Sequence, residues 1–365
     1  MWIVLAVIVV CVLVVYVFMQ QAMFGKRPSG NRLEKIKQSP NYRNGSFQNL
    51  SVTPSFTNGA TFFTVLRDFL FTKNERTVPA DIIPTKKIDL KKLDKNQDVL
   101  VWFGHSSYFI QVDGKRILVD PVLSGSASPL PGGTQAFEGV DVYTADEIPE
   151  IDFLFISHDH WDHLDYKTII KLKPKVNQVI CGLGTGSHLE HWGYNPEIII
   201  EKDWHEEINL ADGFKVYTTP ARHFSGRTFV RNKALWMSFV LKTPTMQIFI
   251  GGDSGYDKHF TEIGNKFGGF DLAILENGQY NKNWQNIHTL PEELMQVAKD
   301  LKAKNILPVH SAKFKLSTHA WDEPLKKAVE NGKNENIGVL TPMIGEQVDL
   351  KNETHQFSEW WLRVN

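Results

Sequence analysis

The segment FISHDHWDHLDY, residues 155–166, contains three histidines and three aspartates. Neutral imidazoles and carboxylates are good ligands for zinc, manganese and iron. His158 and His160 are separated by one residue, so both side chains point to the same side of an extended segment and can reach one ion. Asp162 and His163 then turn towards a second ion. The spacing therefore predicts a metal-binding loop that follows a strand.

Three more candidate ligands follow apolar runs elsewhere in the chain. KVYTTPARH ends with His223, QIFIGGDSGYD contains Asp253 after two glycines, and KNILPVHS contains His310. Open α/β sheets place their sites at the carboxyl ends of strands. A single histidine after a strand is more often a hydrogen-bonded loop residue, but four strand ends that carry His or Asp favour a metal centre.

The pattern H-x-H-x-D-H, followed by distant His, Asp and His, resembles the metallo-β-lactamase superfamily. The resemblance implies an α/β fold, an αββα sandwich of two mixed sheets flanked by helices. It also implies two divalent metal ions, most commonly zinc, with manganese and iron as the other candidates. The resemblance assigns the first ion to His158, His160 and His223. It assigns the second ion to Asp162, His163 and His310, with Asp253 as the bridge between the two ions.

Longer blocks resemble the N-acyl-phosphatidylethanolamine-hydrolysing phospholipase D family. Three of them are VWFGHSSYFIQVDGKRILVDPVLSGSASP, TTPARHFSGRTFVRNKALWMSFVL and GGDSGYDKHFTEIGNKFGGFDLAILENGQYNKNWQNIHTLPEE, and the similarity covers most of residues 96–345. The resemblance implies a dinuclear zinc phosphodiesterase of phospholipase D type that acts on N-acyl-phosphatidylethanolamine-like lipids, with a metal-bridging hydroxide as the nucleophile. The ascorbate-6-phosphate lactonase branch shares the fold and the ligands, so a lactonase or a small phosphoester hydrolase is the alternative.

Residues near these motifs are candidates for catalysis or for support of the ligands. Asp162 and Asp253 are both ligands and proton acceptors, so they are candidates to orient the hydroxide. His288, in NIHTLPEE, is either a residue at a helix N-terminus or a substrate contact and general acid, and the resemblance favours the active site. The remaining candidates for substrate contact or for orienting the ligands are His105, Asp120, Arg222 and Tyr280. A solvated arginine is an equally good interpretation of Arg222.

The rest of the chain must position these residues. From about residue 98, short β-branched and aromatic runs alternate with helix-like stretches, which favours an α/β architecture with mixed sheets. We expect an anchor over residues 1–22, an extension over 23–95 and a hydrolase domain over 96–360. Apolar residues at helical spacing predict a helix over 60–72 within the extension, whose first part we expect to have little regular structure.

The N-terminal run, residues 2–19, contains 18 residues without a charge. Its length predicts a transmembrane helix and a single-pass membrane protein. A cleaved signal peptide fits less well, because no basic residue precedes the run and no A-x-A-like site follows it. The basic residues that follow the run are Lys26, Arg27, Arg32, Lys35 and Lys37. They predict that the soluble domain faces the cytoplasm.

The overall composition disfavours several functions. The formal net charge is −1, so the chain lacks the basic surface that nucleic-acid binding requires, and a nuclease is disfavoured. No predicted ligand is missing, which argues against a non-catalytic scaffold. The two cysteines, Cys11 and Cys181, predict no disulfide. The expected partners are a lipid or small-molecule substrate and a membrane bound through the N-terminal helix, and a homodimer is left open.

Overall fold

A computed structural model describes residues 1–71, 76–352 and 354–365. Two seven-stranded sheets pack face to face, and helices cover their outer faces. The elements before the sheets are α1 (Trp2–Phe18), α2 (Gly30–Lys37), β1 (Tyr42–Arg43), β2 (Ser46–Phe47) and α3 (Phe62–Phe71).

The first sheet has the strand order β16-β3-β4-β5-β6-β7-β8. Its strands are β3 (Val99–Trp102), β4 (Tyr108–Val112), β5 (Lys115–Val119), β6 (Ile151–Ile156), β7 (Val176–Gly182), β8 (Ile199–Lys202) and β16 (Gln347–Asp349). Valine, isoleucine and phenylalanine dominate these runs because branched and aromatic side chains pack well on a pleated surface. The sheet is mixed: the pairs from β16 to β5 are antiparallel, and those from β5 to β8 are parallel.

The second sheet has the order β15-β14-β13-β12-β11-β10-β9. Its strands are β9 (Glu207–Asn209), β10 (Lys215–Thr219), β11 (Ser238–Lys242), β12 (Gln247–Ile250), β13 (Phe270–Glu276), β14 (Ala303–Val309) and β15 (Gly338–Val339). It is also mixed, because β9 to β12 pair antiparallel and β12 to β15 pair parallel.

Side chains that alternate along each strand divide between two layers. Leu100 and Trp102 of β3 lie in the core between the sheets, whereas Val101 packs outwards with the helices. The outer face of the first sheet is covered by α4 (Tyr166–Leu172) and α5 (Gly186–His191). The outer face of the second is covered by α6 (His259–Phe267), α7 (Leu294–Asp300) and α8 (Glu323–Glu335). The predicted αββα sandwich of two mixed sheets is confirmed.

The predicted transmembrane helix is wrong. Helix α1 has 17 residues and ends at Phe18. At 1.5 Å per residue it is about 26 Å long, shorter than the hydrocarbon core of a bilayer at about 30 Å. Among the residues that the structure describes, no helix is both long and apolar enough to cross a membrane. The predicted single-pass membrane location, and the membrane contact through this helix, are therefore corrected.

The extension contains more regular structure than the sequence predicts. Ile36 of α2 and Phe47 of β2 are fully buried in the core between the sheets. The guanidinium of Arg32 pairs with Glu190 at 2.5 Å and with Glu201 at 2.6 Å. These contacts attach the first part of the extension to the sandwich, and helix α3 lies within the predicted range of 60–72.

Both sheets direct chemically active residues to one edge. The loop after β6 begins with Ser157 and His158, and His223 follows β10. In the second sheet, Asp253 follows β12 and His310 follows β14. Because β12 and β14 both run parallel to β13, their carboxyl ends meet at the same edge, as the strand-end pattern predicts.

Candidate metal centre

Three imidazoles form the first group of candidate ligands. His158 Nε2 lies 2.9 Å from His160 Nδ1, and His223 Nε2 lies 3.3 Å from the same atom. Two donors bound to zinc tetrahedrally at about 2.0–2.1 Å are about 3.4 Å apart. The three nitrogens are therefore close to the spacing that one ion requires. The turn after His160 is closed by the Leu164 N–H, which donates to the His160 carbonyl at 2.8 Å.

The second group contains two imidazoles and a carboxylate. Asp162 Oδ2 lies 3.3 Å from His310 Nε2 and 3.6 Å from His163 Nε2. Asp162 is only four residues after His158, but the intervening turn directs its side chain to this second group. The two groups are thus supplied by one loop together with strand ends of the second sheet.

Asp253 lies between the two groups. Its Oδ1 is 3.2 Å from His163 Nε2, and its Oδ2 is 3.2 Å from His310 Nε2. The same Oδ2 is 3.8 Å from His158 Nε2 and 3.7 Å from His223 Nε2. A bridging carboxylate requires this placement, and the structure brings together all seven predicted ligands.

The glycine before Asp253 makes its approach possible. Gly252 has φ of +60°, and a Cβ at this position would lie 2.8 Å from the Cβ of Ser157. Any other residue would therefore be strained in its backbone and would collide with the strand end that carries His158. The close approach of the backbone at Gly252 thus depends on the absence of a side chain.

The donor atoms fit a divalent cation. His163 Nε2 and Asp253 Oδ1 are buried and have no hydrogen-bond partner among the described residues, although they lie 3.2 Å apart. Buried polar atoms normally have a partner, because an unpaired one loses the full free energy of its hydration. A cation between the two atoms satisfies both. Imidazole nitrogen and carboxylate oxygen are also the donors that zinc, manganese and iron accept.

The protonation states of the first group suit metal binding. Burial lowers the pKa of His160 to about 4, and it also holds the pKa of His158 and His223 well below the usual range. These imidazoles are therefore neutral at pH 7, which is the form that binds a metal. In the second group, burial opposes the charge of His310, but the Asp253 carboxylate raises its pKa to about 10. A metal ion that binds His310 must therefore displace the proton from Nε2.

Neighbouring hydrogen bonds fix the orientation of the ligands. Asp120 is 1% exposed; its Oδ2 accepts from His163 Nδ1 at 2.9 Å, and its Oδ1 accepts from the Ser157 N–H at 2.8 Å. His105 Nε2 donates to Asp162 Oδ2 at 2.9 Å. Partners of this kind set the tautomer and the direction of a metal ligand. The structure thus places Asp120 and His105 beside the predicted ligands.

His288 also belongs to the centre. Its ring stacks on that of His310, with centroids 5.1 Å apart and 23° between the planes. Its Nδ1 donates to Glu276 Oε2 at 2.6 Å. His288 lines the cavity above the ligands, so its second nitrogen is available to a bound molecule.

Two other candidates lie away from the ligands. The guanidinium of Arg222 donates to Thr53 Oγ1 at 3.1 Å and to the carbonyls of Val52 and Tyr256. Tyr280 donates to Glu323 at 2.8 Å and lines a neighbouring cavity. The structure does not bring either side chain to the candidate metal centre.

A cavity of about 360 Å³ lies over the metal-ligand candidates. The ligand candidates that line it are His160, Asp162, His223, Asp253 and His310. The other residues that line it are Ser55, Phe56, Val65, Phe69, Phe224, Arg231, Gln279, Trp284, Ile287, His288 and Leu316. Most of this second set is apolar, and four of its members come from the extension.

Sequence reasoning misses two residues that contact the ligands. Asn49 Oδ1 accepts from the His223 N–H at 3.1 Å, and Asn49 Nδ2 donates to the His223 carbonyl at 2.7 Å. No local pattern marks Asn49, because its partner lies 174 residues away. Glu276 does have a signal: it is a charged residue at the end of the apolar run FDLAILE.

The fold and the site together define a metal-dependent hydrolase. The family model described as "Beta-lactamase superfamily domain" matches residues 115–311, a segment that contains all seven predicted ligands. The chain belongs to this superfamily, and the resemblance inferred from its motifs is confirmed.

Individual relatives support this assignment. The chain is 36% identical over 330 residues to the uncharacterized protein Rv0906 of Mycobacterium tuberculosis, covering 89% of this chain and 88% of the relative. It is 27% identical over 322 residues to N-acyl-phosphatidylethanolamine-hydrolyzing phospholipase D 1 of Caenorhabditis elegans, covering 81% and 86%. The solved structure of Igni18, a metallo hydrolase of Ignicoccus hospitalis, matches with a TM-score of 0.51 at 21% identity, covering 69% and 98%. That structural likeness shows the fold.

Proposed function

We propose that the protein is a dinuclear, zinc-dependent phosphodiesterase of phospholipase D type that acts on N-acyl-phosphatidylethanolamine-like lipids. The observation that carries the proposal is the cavity, which combines a floor formed by five of the seven convergent ligand candidates with a largely apolar wall. A charged phosphodiester suits the floor, and acyl chains suit the wall. The name of the Caenorhabditis elegans relative points to the same class of substrate.

The apolar wall is built from two parts of the chain. Phe69 of α3 stacks on Trp284, with ring centroids 6.2 Å apart and 17° between the planes. Val65 of α3 and Phe56 also line the cavity. Apolar surface of this kind favours a substrate with hydrocarbon chains, at about 25 cal/mol per Å² removed from water.

Two bound divalent ions would lower the pKa of a water molecule and stabilise the negative charge that develops on the phosphoryl oxygens. The carboxylates of Asp162 and Asp253 orient the attacking water by accepting its hydrogen bonds. His288 faces the cavity and delivers a proton to the oxygen of the departing alcohol. Overall, water adds across one P–O bond and yields phosphatidic acid and an N-acylethanolamine.

The test uses the purified full-length chain. Its metal content is measured by elemental analysis, and its hydrolysis of N-acyl-phosphatidylethanolamine in detergent micelles is compared with that of a soluble lactone. We expect two metal ions per chain, mainly zinc, and release of the N-acylethanolamine. Hydrolysis of the lactone without hydrolysis of either the lipid or bis-p-nitrophenyl phosphate would refute the proposal in favour of the lactonase alternative.

Two matched variants separate the site from the fold. Asp253→Asn removes the bridging charge, so we expect loss of bound metal and of activity. Asp271→Asn changes the same group far from the site, where Asp271 accepts from the Gln247 N–H at 2.9 Å. It should retain both properties, and equal losses in the two variants would contradict the assignment of Asp253.

A further inference from the structure

Glu276 is a buried carboxylate at the end of β13, and it contacts three parts of the site. The residue is 4% exposed. Its Oε1 accepts from the backbone N–H groups of Ser254 at 3.0 Å and Thr289 at 2.8 Å. Its Oε2 accepts from His288 Nδ1 at 2.6 Å and lies 3.3 Å from His310 Nδ1. One carboxylate therefore joins the loop of Asp253, the loop of His288 and the ligand His310.

We infer that Glu276 is a positioning residue that holds His310 in the tautomer that a metal ion requires and holds His288 in the orientation that the reaction requires. The part that concerns His288 rests on the proposed function. A carboxylate beside Nδ1 keeps a proton on that nitrogen. In His310 this leaves the Nε2 lone pair for a metal ion, and in His288 it directs Nε2 into the cavity. Nothing in the reaction requires Glu276 to touch the substrate.

The chemistry of an amide at this position makes the inference testable. In Glu276→Gln, the side-chain oxygen is needed by the two backbone N–H groups, so the NH2 group faces both imidazoles. The hydrogens of this NH2 group then face the hydrogens on the two Nδ1 atoms, so donors meet donors and no hydrogen bond can form. The imidazoles must then rotate, or must move their proton to Nε2. For His310, either response removes the Nε2 lone pair from the metal. For His288, the rotation misaligns the Nε2 proton.

The reaction step that depends on His288 gives a specific readout. As the oxygen of water bonds to phosphorus and the P–O bond to the alcohol breaks, the electron pair of that bond goes to the departing oxygen. His288 acts in this step with hydrogens on both nitrogens: its Nδ1–H stays hydrogen-bonded to Glu276, and its Nε2 proton goes to the departing oxygen. An alkoxide needs this proton, whereas p-nitrophenolate is stable without it. A misaligned general acid should therefore slow a substrate with an alcohol leaving group far more than bis-p-nitrophenyl phosphate.

The experiment compares the wild type, Glu276→Gln and a control. Metal affinity is measured by competition with a chelator, and kcat/KM is measured at saturating metal for N-acyl-phosphatidylethanolamine and for bis-p-nitrophenyl phosphate. In Glu276→Gln we expect metal affinity to fall at least about tenfold. We expect kcat/KM to fall about a hundredfold for the lipid and less than about tenfold for the nitrophenyl ester. In the control, Glu293→Gln, neither the metal affinity nor kcat/KM should change. Glu293 lies in the same region, but it accepts a hydrogen bond from the Leu290 N–H, at 2.9 Å.

Two further variants keep the test decisive. Glu276→Asp retains the charge but withdraws the oxygens by one methylene, so it should show the same split between substrates even if the glutamine variant does not fold. In a His288→Ala background, Glu276→Gln should no longer change the ratio of the two activities. Equal losses on both substrates, or an unchanged metal affinity, would overturn the inference.

Failure of the proposed function is distinguishable from failure of this inference. If the wild type hydrolyses no phosphodiester, the proposed function is wrong, and metal affinity alone then decides whether Glu276 positions His310. A tenfold weaker affinity in Glu276→Gln than in Glu293→Gln supports the inference, and equal affinities overturn it.

Discussion

Asn49 offers a sharp test of how the extension supports the metal centre. Its Oδ1 accepts from the His223 N–H at 3.1 Å and from Trp236 Nε1 at 3.0 Å, and its Nδ2 donates to the His223 carbonyl at 2.7 Å. One side chain thus holds both backbone groups of a predicted ligand. Asn49→Ala removes all three hydrogen bonds without touching any metal-binding atom.

The expected magnitude follows from the number and type of these bonds. Trp236 Nε1 also donates to the Ala221 carbonyl at 3.0 Å, so its loss contributes little. The two bonds to His223 are each worth about 0.5–1.5 kcal/mol. We therefore expect the free energy of unfolding to fall by about 1–3 kcal/mol. Since His223 is released from its position, the metal bound by the three-histidine group should also be lost more readily.

The assay is urea unfolding at a fixed metal concentration, followed by elemental analysis after dialysis. Asn58→Ala is the matched control, because among the residues that the structure describes the exposed Asn58 side chain donates only to the Lys282 carbonyl, at 2.7 Å. The control should lose at most about 1 kcal/mol and no metal. If Asn49→Ala and Asn58→Ala were equal in stability and in metal content, the supporting role of the extension would be refuted.

Three further predictions concern other parts of the molecule. Asp120→Asn should weaken metal binding by about 10–100-fold in a chelator competition, because an amide cannot accept from all the groups around Asp120. An unchanged metal affinity would contradict this prediction. Burial lowers the pKa of His259 to about 4 in the folded chain, whereas the unfolded chain takes up this proton near pH 6.5. Burial of neutral His259 therefore lowers the free energy of unfolding by about 2 kcal/mol at pH 5, and it has no such effect above about pH 6.5. In urea unfolding, His259→Asn should lose less stability than the wild type when the pH falls from 7 to 5. Equal losses would show that His259 does not contribute. Val65→Trp should fill the part of the cavity that lies along the apolar wall. Because each displaced methylene of the lipid costs about 0.8 kcal/mol, KM for the lipid should rise about tenfold. KM for bis-p-nitrophenyl phosphate should stay the same.

The convergence of the candidate ligands could be predicted because its signals are local. His158, His160, Asp162 and His163 lie within six positions, and their spacing alone specifies which side chains can converge. The other ligands each follow a strongly apolar run, and parallel strands bring such ends together. The strand patterns, which are short, regular and separated by turns, predict an α/β architecture with mixed sheets, and the resemblance to the superfamily implies the αββα sandwich.

Contacts between distant segments could not be predicted in this way. Asn49 and Arg222 are both bonded to partners far along the chain, and nothing in the surrounding residues indicates which partners these are. Tyr280 lies only four residues after Glu276, yet its hydroxyl points to Glu323 in a different cavity. The end of α1 could not be predicted from charge alone, because the uncharged run continues beyond Phe18, where the helix ends.

The candidate ligands and part of the cavity wall come from different segments of the chain. All seven predicted ligands lie within residues 115–311, the segment that matches the superfamily. Ser55, Phe56, Val65 and Phe69, which form part of the cavity wall, lie in the extension outside that segment. The candidate metal ligands therefore belong to the sandwich, whereas part of the apolar cavity wall belongs to the extension. Because Asn49 also fixes His223, the extension cannot be removed as an independent module: its loss should reduce metal binding as well as substrate selection.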